Sequence, residues 1–200
     1  MTETLNFEDL PKKQQQLITT ATELFYSYGV RRVTINEICR KANVSNMTFY
    51  KYFSNKWDIV KTVLDILFDE INRIYQNILA EDISLTQKLE KILMAMAVQG
   101  RDLKSDFRDD LINEDSPLRS YVLEQQKKHI ELHINFLKKA QKEGYIHSDI
   151  KEPFLLFMWN RYCNFFNHPE LVRIMPDVND RAYELATQLI YGLAGTPKAK

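Results

Sequence analysis

Residues 34–53, TINEICRKANVSNMTFYKYF, decide how this chain is read. Thr34 followed by Glu37 has the spacing of a capping box, in which a hydroxyl and a carboxylate take up free backbone N–H groups at a helix start. Ile35, Ile38, Cys39 and Ala42 then recur at helical spacing, so this short helix buries one stripe. Asn43 stands where the helix must stop, and asparagine tolerates the left-handed conformation such an ending needs. Ser45 caps a second helix, with Val44 and Phe49 placed to clasp as a hydrophobic staple. Helix, tight turn, helix is the geometry that lays a recognition helix in the major groove of DNA.

The second helix has a free side. Phe49 and Phe53 fall within roughly 40° of each other at helical periodicity and anchor one face. Met47 and Lys51 point the opposite way, Thr48 and Tyr50 occupy the flanks, and Asn46 sits end-on in the first turn. Amide, hydroxyl, phenol and ammonium groups suit phosphate oxygens and base edges. An ordinary solvated surface carries the same residue types, and periodicity alone leaves the two readings even. Tyr52 falls nearer the core, where a structural and a contact role are both open.

The formal charge of the 200 residues is zero, which argues against a generally basic coat. Its distribution is uneven. From Lys12 to Lys56 eight Lys and Arg face two acids, whereas from Glu81 to Asp115 nine acids face five bases. Phosphate neutralisation supplies much of the affinity for DNA, so any such contact belongs to the N-terminal quarter. Cys39 and Cys163 are too few for a disulfide framework and read as small apolar fillers. No apolar run approaches the roughly 18 residues of a membrane span, and the first residues lack a signal-peptide core, so a cytoplasmic protein with no membrane contact is expected.

The remainder reads as helices. Pro11 opens a first helix with the stripe Leu17, Ile18, Ala21, Leu24, Phe25 and Tyr28, closed by Gly29. Asn55 to Asp58 start a long fourth helix running to about residue 80, a rod near 37 Å. Ser84 and Gln87 cap a fifth, with Leu85, Leu89, Ile92, Leu93 and Met96 on its buried side and Gly100 at its end; a short segment follows from Leu103 to Ile112. Ser116 and Pro117 open a long helix closed by Gly144, Pro153 opens an aromatic one, and the last spans about 179–193. The expectation is an all-α chain of about nine helices, with a helix-turn-helix domain over residues 1–56 and a second helical domain over 57–200.

Signals for catalysis are weak. His129 and His133, four apart on one helix, have the spacing of a metal pair, but Ile130 stands where a zinc-protease motif needs glutamate. The acids Asp102, Asp106, Asp109, Asp110, Glu114 and Asp115 read as a solvated face, since Asn113 breaks the pattern a magnesium site needs. Phosphate loops, nucleophile elbows and cysteine–histidine pairs of catalytic spacing are missing from the sequence, and no enzyme, metal or cofactor is expected. Phe154, Phe157, Trp159, Tyr162, Phe165 and Phe166 cover nearly every side of one helix, which calls for burial on all sides.

Residues 15–60 resemble the DNA-binding domain of the tetracycline-repressor (TetR) family of bacterial regulators. The match lies in Ala21, Leu24, Phe25, Gly29, Thr34, Ile38, Ala42, Val44, Ser45, Tyr50, Phe53 and Lys56. The resemblance implies phosphate contacts from Thr34, Tyr50 and Lys56, and a groove-facing set of Asn46, Met47, Thr48 and Lys51 beside the cap Ser45. Asn43 and Met47 replace residues that are commonly glycine in the family; Met47 either reaches a thymine methyl or changes the docking. The resemblance further implies a homodimer built on the last two helices (Ala182, Leu185, Ala186, Leu189, Ile190, Leu193) and an apolar or aromatic small-molecule effector. By type, Met94, Phe107, Tyr121, His133, Phe136, Trp159 and Tyr162 suit its lining or plain core. The expected function is a DNA-binding transcriptional regulator, a repressor released from a palindromic operator by its effector. The alternative is an effector-independent architectural factor.

Overall fold

A computed structural model describes residues 7–102, 105–166 and 168–194. Apolar spacing of three and four becomes helix throughout. A 3-10 turn at Phe7–Asp9 precedes α1 (Lys12–Tyr28), α2 (Ile35–Lys41), α3 (Asn46–Tyr52), α4 (Lys56–Ala80) and α5 (Leu85–Asp102). Then come α6 (Ser105–Ile112), α7 (Arg119–Lys142), α8 (Glu152–Phe166), α9 (Pro169–Ile174) and α10 (Val178–Ala194). The described residues hold ten α-helices and no strand. The helix beyond the expected nine is α9, six residues opened by Pro169 at its first position. Gly100 does not end α5, which continues to Asp102, because a glycine weakens a helix without having to terminate it. Gly144 does stop α7, with φ at +81°. Leu103, and the side chains of Met96, Asp102, Cys163, Ile190 and Leu193, lie outside the described residues.

Contacts divide the chain into two compact units, 1–73 with 102–126, and 74–101 with 127–200. Compactness therefore groups α6 and the start of α7 with the three N-terminal helices. In the first unit Phe25 of α1, Ile38 of α2, Phe49 of α3, and Ile59 and Val60 of α4 are fully buried together. Phe107 of α6 joins them, its ring centroid 6.5 Å from that of Phe25 and 5.1 Å from that of Tyr26. Each such side chain contributes about 1.5–3 kcal/mol on burial. Exposed ion pairs such as Lys41–Glu23, at 2.9 Å, are worth at most about 1 kcal/mol, so packing dominates.

The second core gathers Leu89, Ile92 and Leu93 of α5, Leu137 and Ala140 of α7, Leu155, Trp159 and Phe166 of α8, and Ala182, Ala186 and Leu189 of α10. The aromatic helix α8 is covered by its own chain on one side only: Leu155 and Trp159 are buried, whereas Phe154, Phe157 and Phe165 are each about half exposed, which leaves a face of the kind a second copy would cover. The residues that suit an effector lining or plain core fall in both cores. Phe107 and Tyr121 pack in the first core, whereas Met94, His133, Phe136, Trp159 and Tyr162 pack in the second.

His133 gives the second unit a pH limit. Burial first, then the neighbouring His129, depress its pKa from 6.5 to about 3. The unfolded chain takes up a proton as pH falls below 6.5 while the folded chain does not, so stability present above that pH is lost on the way down to about 3. At pH 5 the loss from this one group should be roughly 2 kcal/mol. Thermal melting from pH 7.5 to 5 should show a falling Tm, with a shallower slope in His133→Leu; parallel slopes would remove His133 as the cause.

Candidate nucleic-acid interface

The α1–α2 loop, α2 and α3 carry the candidate interface, and local hydrogen bonds set each piece. Gly29 ends α1 at φ +77°, its N–H bonded to the Phe25 carbonyl at 2.9 Å. Thr34 and Glu37 form the full capping box: the Glu37 N–H reaches Thr34 Oγ1 at 3.2 Å, and the Thr34 N–H reaches Glu37 Oε2 at 2.8 Å. The Thr34 hydroxyl also donates to that carboxylate, at 2.9 Å. These bonds hold the Glu37 pKa below its ordinary value. Asn43 turns the chain at φ +53°, as its sequence position implies, and Val44 N–H closes the turn on the Cys39 carbonyl at 2.9 Å. Ser45 Oγ accepts from the Thr48 N–H at 3.2 Å and starts α3.

Helix α3 is gripped from one side only. Phe49 and Phe53 are 0% and 2% exposed, whereas Met47 is 85% and Tyr50 58% exposed. Lys51 is exposed, its ammonium 5.8 Å from the half-buried Tyr52 ring, so Tyr52 packs against the core and steadies Lys51. Thr34, Ser45 and Asn46 are exposed and Thr48 is half-buried.

Lys56 is placed otherwise. Its ammonium donates to the carbonyls of Val30, Arg31 and Val33 at 2.9, 3.4 and 3.1 Å, which engages three N–H donors on the α1–α2 loop. Burial lowers its pKa, partly opposed by Asp110. Asp110 of α6 holds the same loop from the other side, accepting the Arg31 N–H at 2.8 Å. One member of the surface escaped sequence reasoning. Asn36, on α2, accepts a 2.7 Å hydrogen bond from the Asn46 side-chain amide, so the two amides present their remaining groups together. Only folding brings α2 and α3 into register, although two asparagines at neighbouring helix starts are a usable hint.

Residues 17–63 match the profile of bacterial regulatory proteins of the tetR family. The N-terminal domain belongs to the TetR family. The HTH-type transcriptional regulator HbdR of Aromatoleum sp. (strain CIB) is 41% identical over 66 residues, 31% of this chain and 29% of that protein. The HTH-type transcriptional regulator TtgR of Pseudomonas putida is 29% identical over 108 residues, 54% of this chain and 50% of that protein. The chain thus spans half or less of the length of these two curated relatives. A transcriptional regulator FadR from Bacillus subtilis, solved in complex with stearoyl-CoA, shares the fold with a TM-score of 0.69 at 18% identity, over 89% of this chain and 98% of that one.

The three loop carbonyls make Lys56 a fastener of this TetR-family domain. Lys56→Met keeps the aliphatic stem and removes the donors, and should lower stability by about 1–3 kcal/mol by chemical denaturation. An unchanged midpoint would show that the loop holds without it.

Proposed function

We propose that the protein is a homodimeric, sequence-specific DNA-binding transcriptional regulator, a repressor released from a near-palindromic operator by a small-molecule effector. The observation that carries this reading is α3: two buried phenylalanines behind, and Met47, Tyr50 and Lys51 exposed in front. Asn46, Thr48, Met47 and Lys51 take the base-facing role, Thr34, Ser45 and Tyr50 stand beside phosphates, and Lys56 positions the loop that leads to them. The TetR-family match over residues 17–63 and the HTH-type regulators among the relatives support it. So does the charge pattern, since the basic excess lies between Lys12 and Lys56.

The half-exposed row Phe154, Phe157 and Phe165, with Tyr183 of α10 at 56% exposure, supplies an apolar face for a second copy. Paired domains would present two recognition helices to successive major grooves, roughly 34–36 Å apart. Small-molecule response is supported by the neighbour solved with stearoyl-CoA, a ligand stated of that protein alone. A regulator of this kind acts in the cytoplasm, on the DNA itself. Among the described residues no helix is long and apolar enough to cross a membrane.

Duplexes selected from a random pool by the wild-type protein should yield a two-fold symmetric consensus. Lys51→Ala should alter base preference at defined positions, a discrimination of about 1–3 kcal/mol. A uniform loss across all sequences would reassign Lys51 to phosphate, and failure to select any consensus would overturn the regulator reading. Separately, Phe157→Asp should weaken self-association at least about 100-fold in analytical ultracentrifugation, because it places a charge in the centre of the apolar face; an unchanged dimer would place the interface elsewhere.

A further inference from the structure

The core of the second unit contains imidazole nitrogens with nothing to bond. His133 is 3% exposed, and neither Nδ1 nor Nε2 has a hydrogen-bond partner; Nδ1 of His129, one turn earlier on α7, is buried and unpartnered as well. The two rings meet edge to face at 4.4 Å. Tyr75 of α4 lies 4.8 Å from His133 and Trp159 of α8 lies 4.5 Å from it. The Tyr75 hydroxyl is directed to the Leu132 carbonyl at 3.4 Å, not to a histidine. A neutral imidazole carries one N–H and one lone pair, so His133 buries a donor and an acceptor together. Native cores rarely leave such groups unsatisfied, and an apolar residue of similar size would fill the space without that penalty.

We propose that His133 and His129, walled by Tyr75 and Trp159, anchor the polar group of an uncharged ligand whose ring-sized apolar body carries a single hydroxyl or carbonyl. The inference rests on the ligand-responsive reading above and specifies the chemistry of its effector. Burial holds both histidines neutral, with His129 adding to the effect on His133, so they offer a donor and an acceptor instead of a cation. An anionic group would gain little from a neutral pair, and protonating His133 to receive it works against that burial. A metal ion lacks ligands here, for no group of three or more His, Cys, Asp or Glu suited to one occurs among the described residues. The Tyr75 and Trp159 rings give a ring-sized apolar body aromatic surface to lie against; the groove of about 290 Å³ beside the α4–α5 turn is lined by Leu132 and Phe136 but by neither histidine.

Toluene and p-cresol are nearly equal in size and differ by one hydroxyl, so their titration into the full-length protein at pH 7.5, followed by calorimetry, is a direct test. A purely apolar site would favour toluene, because the hydroxyl must be desolvated without return. The anchor should make p-cresol bind at least about tenfold tighter than toluene, and His133→Leu should bring the two within about twofold. No binding of either at millimolar concentration, equal binding to the wild type, or a preference that survives in His133→Leu would each overturn the proposal. The wild-type comparison stands even if the variant folds poorly. Release of selected DNA by another compound, equally from wild type and His133→Leu, would overturn the histidine anchor while leaving ligand response intact.

Discussion

Three backbone carbonyls after α1, those of Val30, Arg31 and Val33, have to be satisfied where the chain leaves a helix and cannot yet begin the next. The Lys56 ammonium is suited to them, since it has three donors that a single point charge can distribute over a turn. Gly29 lets the chain make this turn at positive φ, and a Cβ at that position would come within 2.7 Å of Asp110 Oδ2. The loop is therefore fastened from α4 by Lys56 and from α6 by Asp110, with Thr34 waiting at its far end to cap α2. Position of the candidate DNA surface follows from that fastening. Neither α2 nor α3, at seven residues each, would keep its orientation alone.

How much of this could be read from the chain depends on the range of the interaction. The capping box, the positive φ at Asn43, the Ser45 cap and the one-sided burial of α3 are all local: each is decided by residues three or four apart, and each is found where the sequence puts it. The end of α5 misleads, because Gly100 reads as a stop although nothing nearby obliges the helix to end. Lys56 illustrates the harder case. Its partners lie 23 to 26 residues back, and no periodicity relates an ammonium to carbonyls across a fold. The Asn36–Asn46 bond is similar at a separation of ten. The aromatic helix shows the remaining difficulty: composition says that α8 needs covering on all sides, but a sequence does not say which side its own chain will cover.

Charge and packing play different parts in the reading. The apolar cores account for stability, so the polar surface of α2 and α3 is free to be specified by what it contacts. The exposed methionine at 47 is informative in this light. An 85% exposed side chain of that size on the polar face of α3 gains nothing for the fold. It is adaptable, and apolar contact with a base methyl is one of the few uses such a position has.

Under the proposed function, communication from a ligand to DNA needs an element with two arrangements, and α4 and α7 are the candidates. Both helices contribute to both cores. In the first, Tyr121 of α7 donates to Asp65 of α4, with Lys61 over its ring at 4.8 Å. In the second, Tyr75 of α4 lies against His129 and His133 of α7. An effector acts on such a system only through the difference in its affinity for the two arrangements. Unsatisfied imidazoles are a means of generating that difference: the arrangement that supplies their partner through a ligand is favoured by a hydrogen bond that the other lacks.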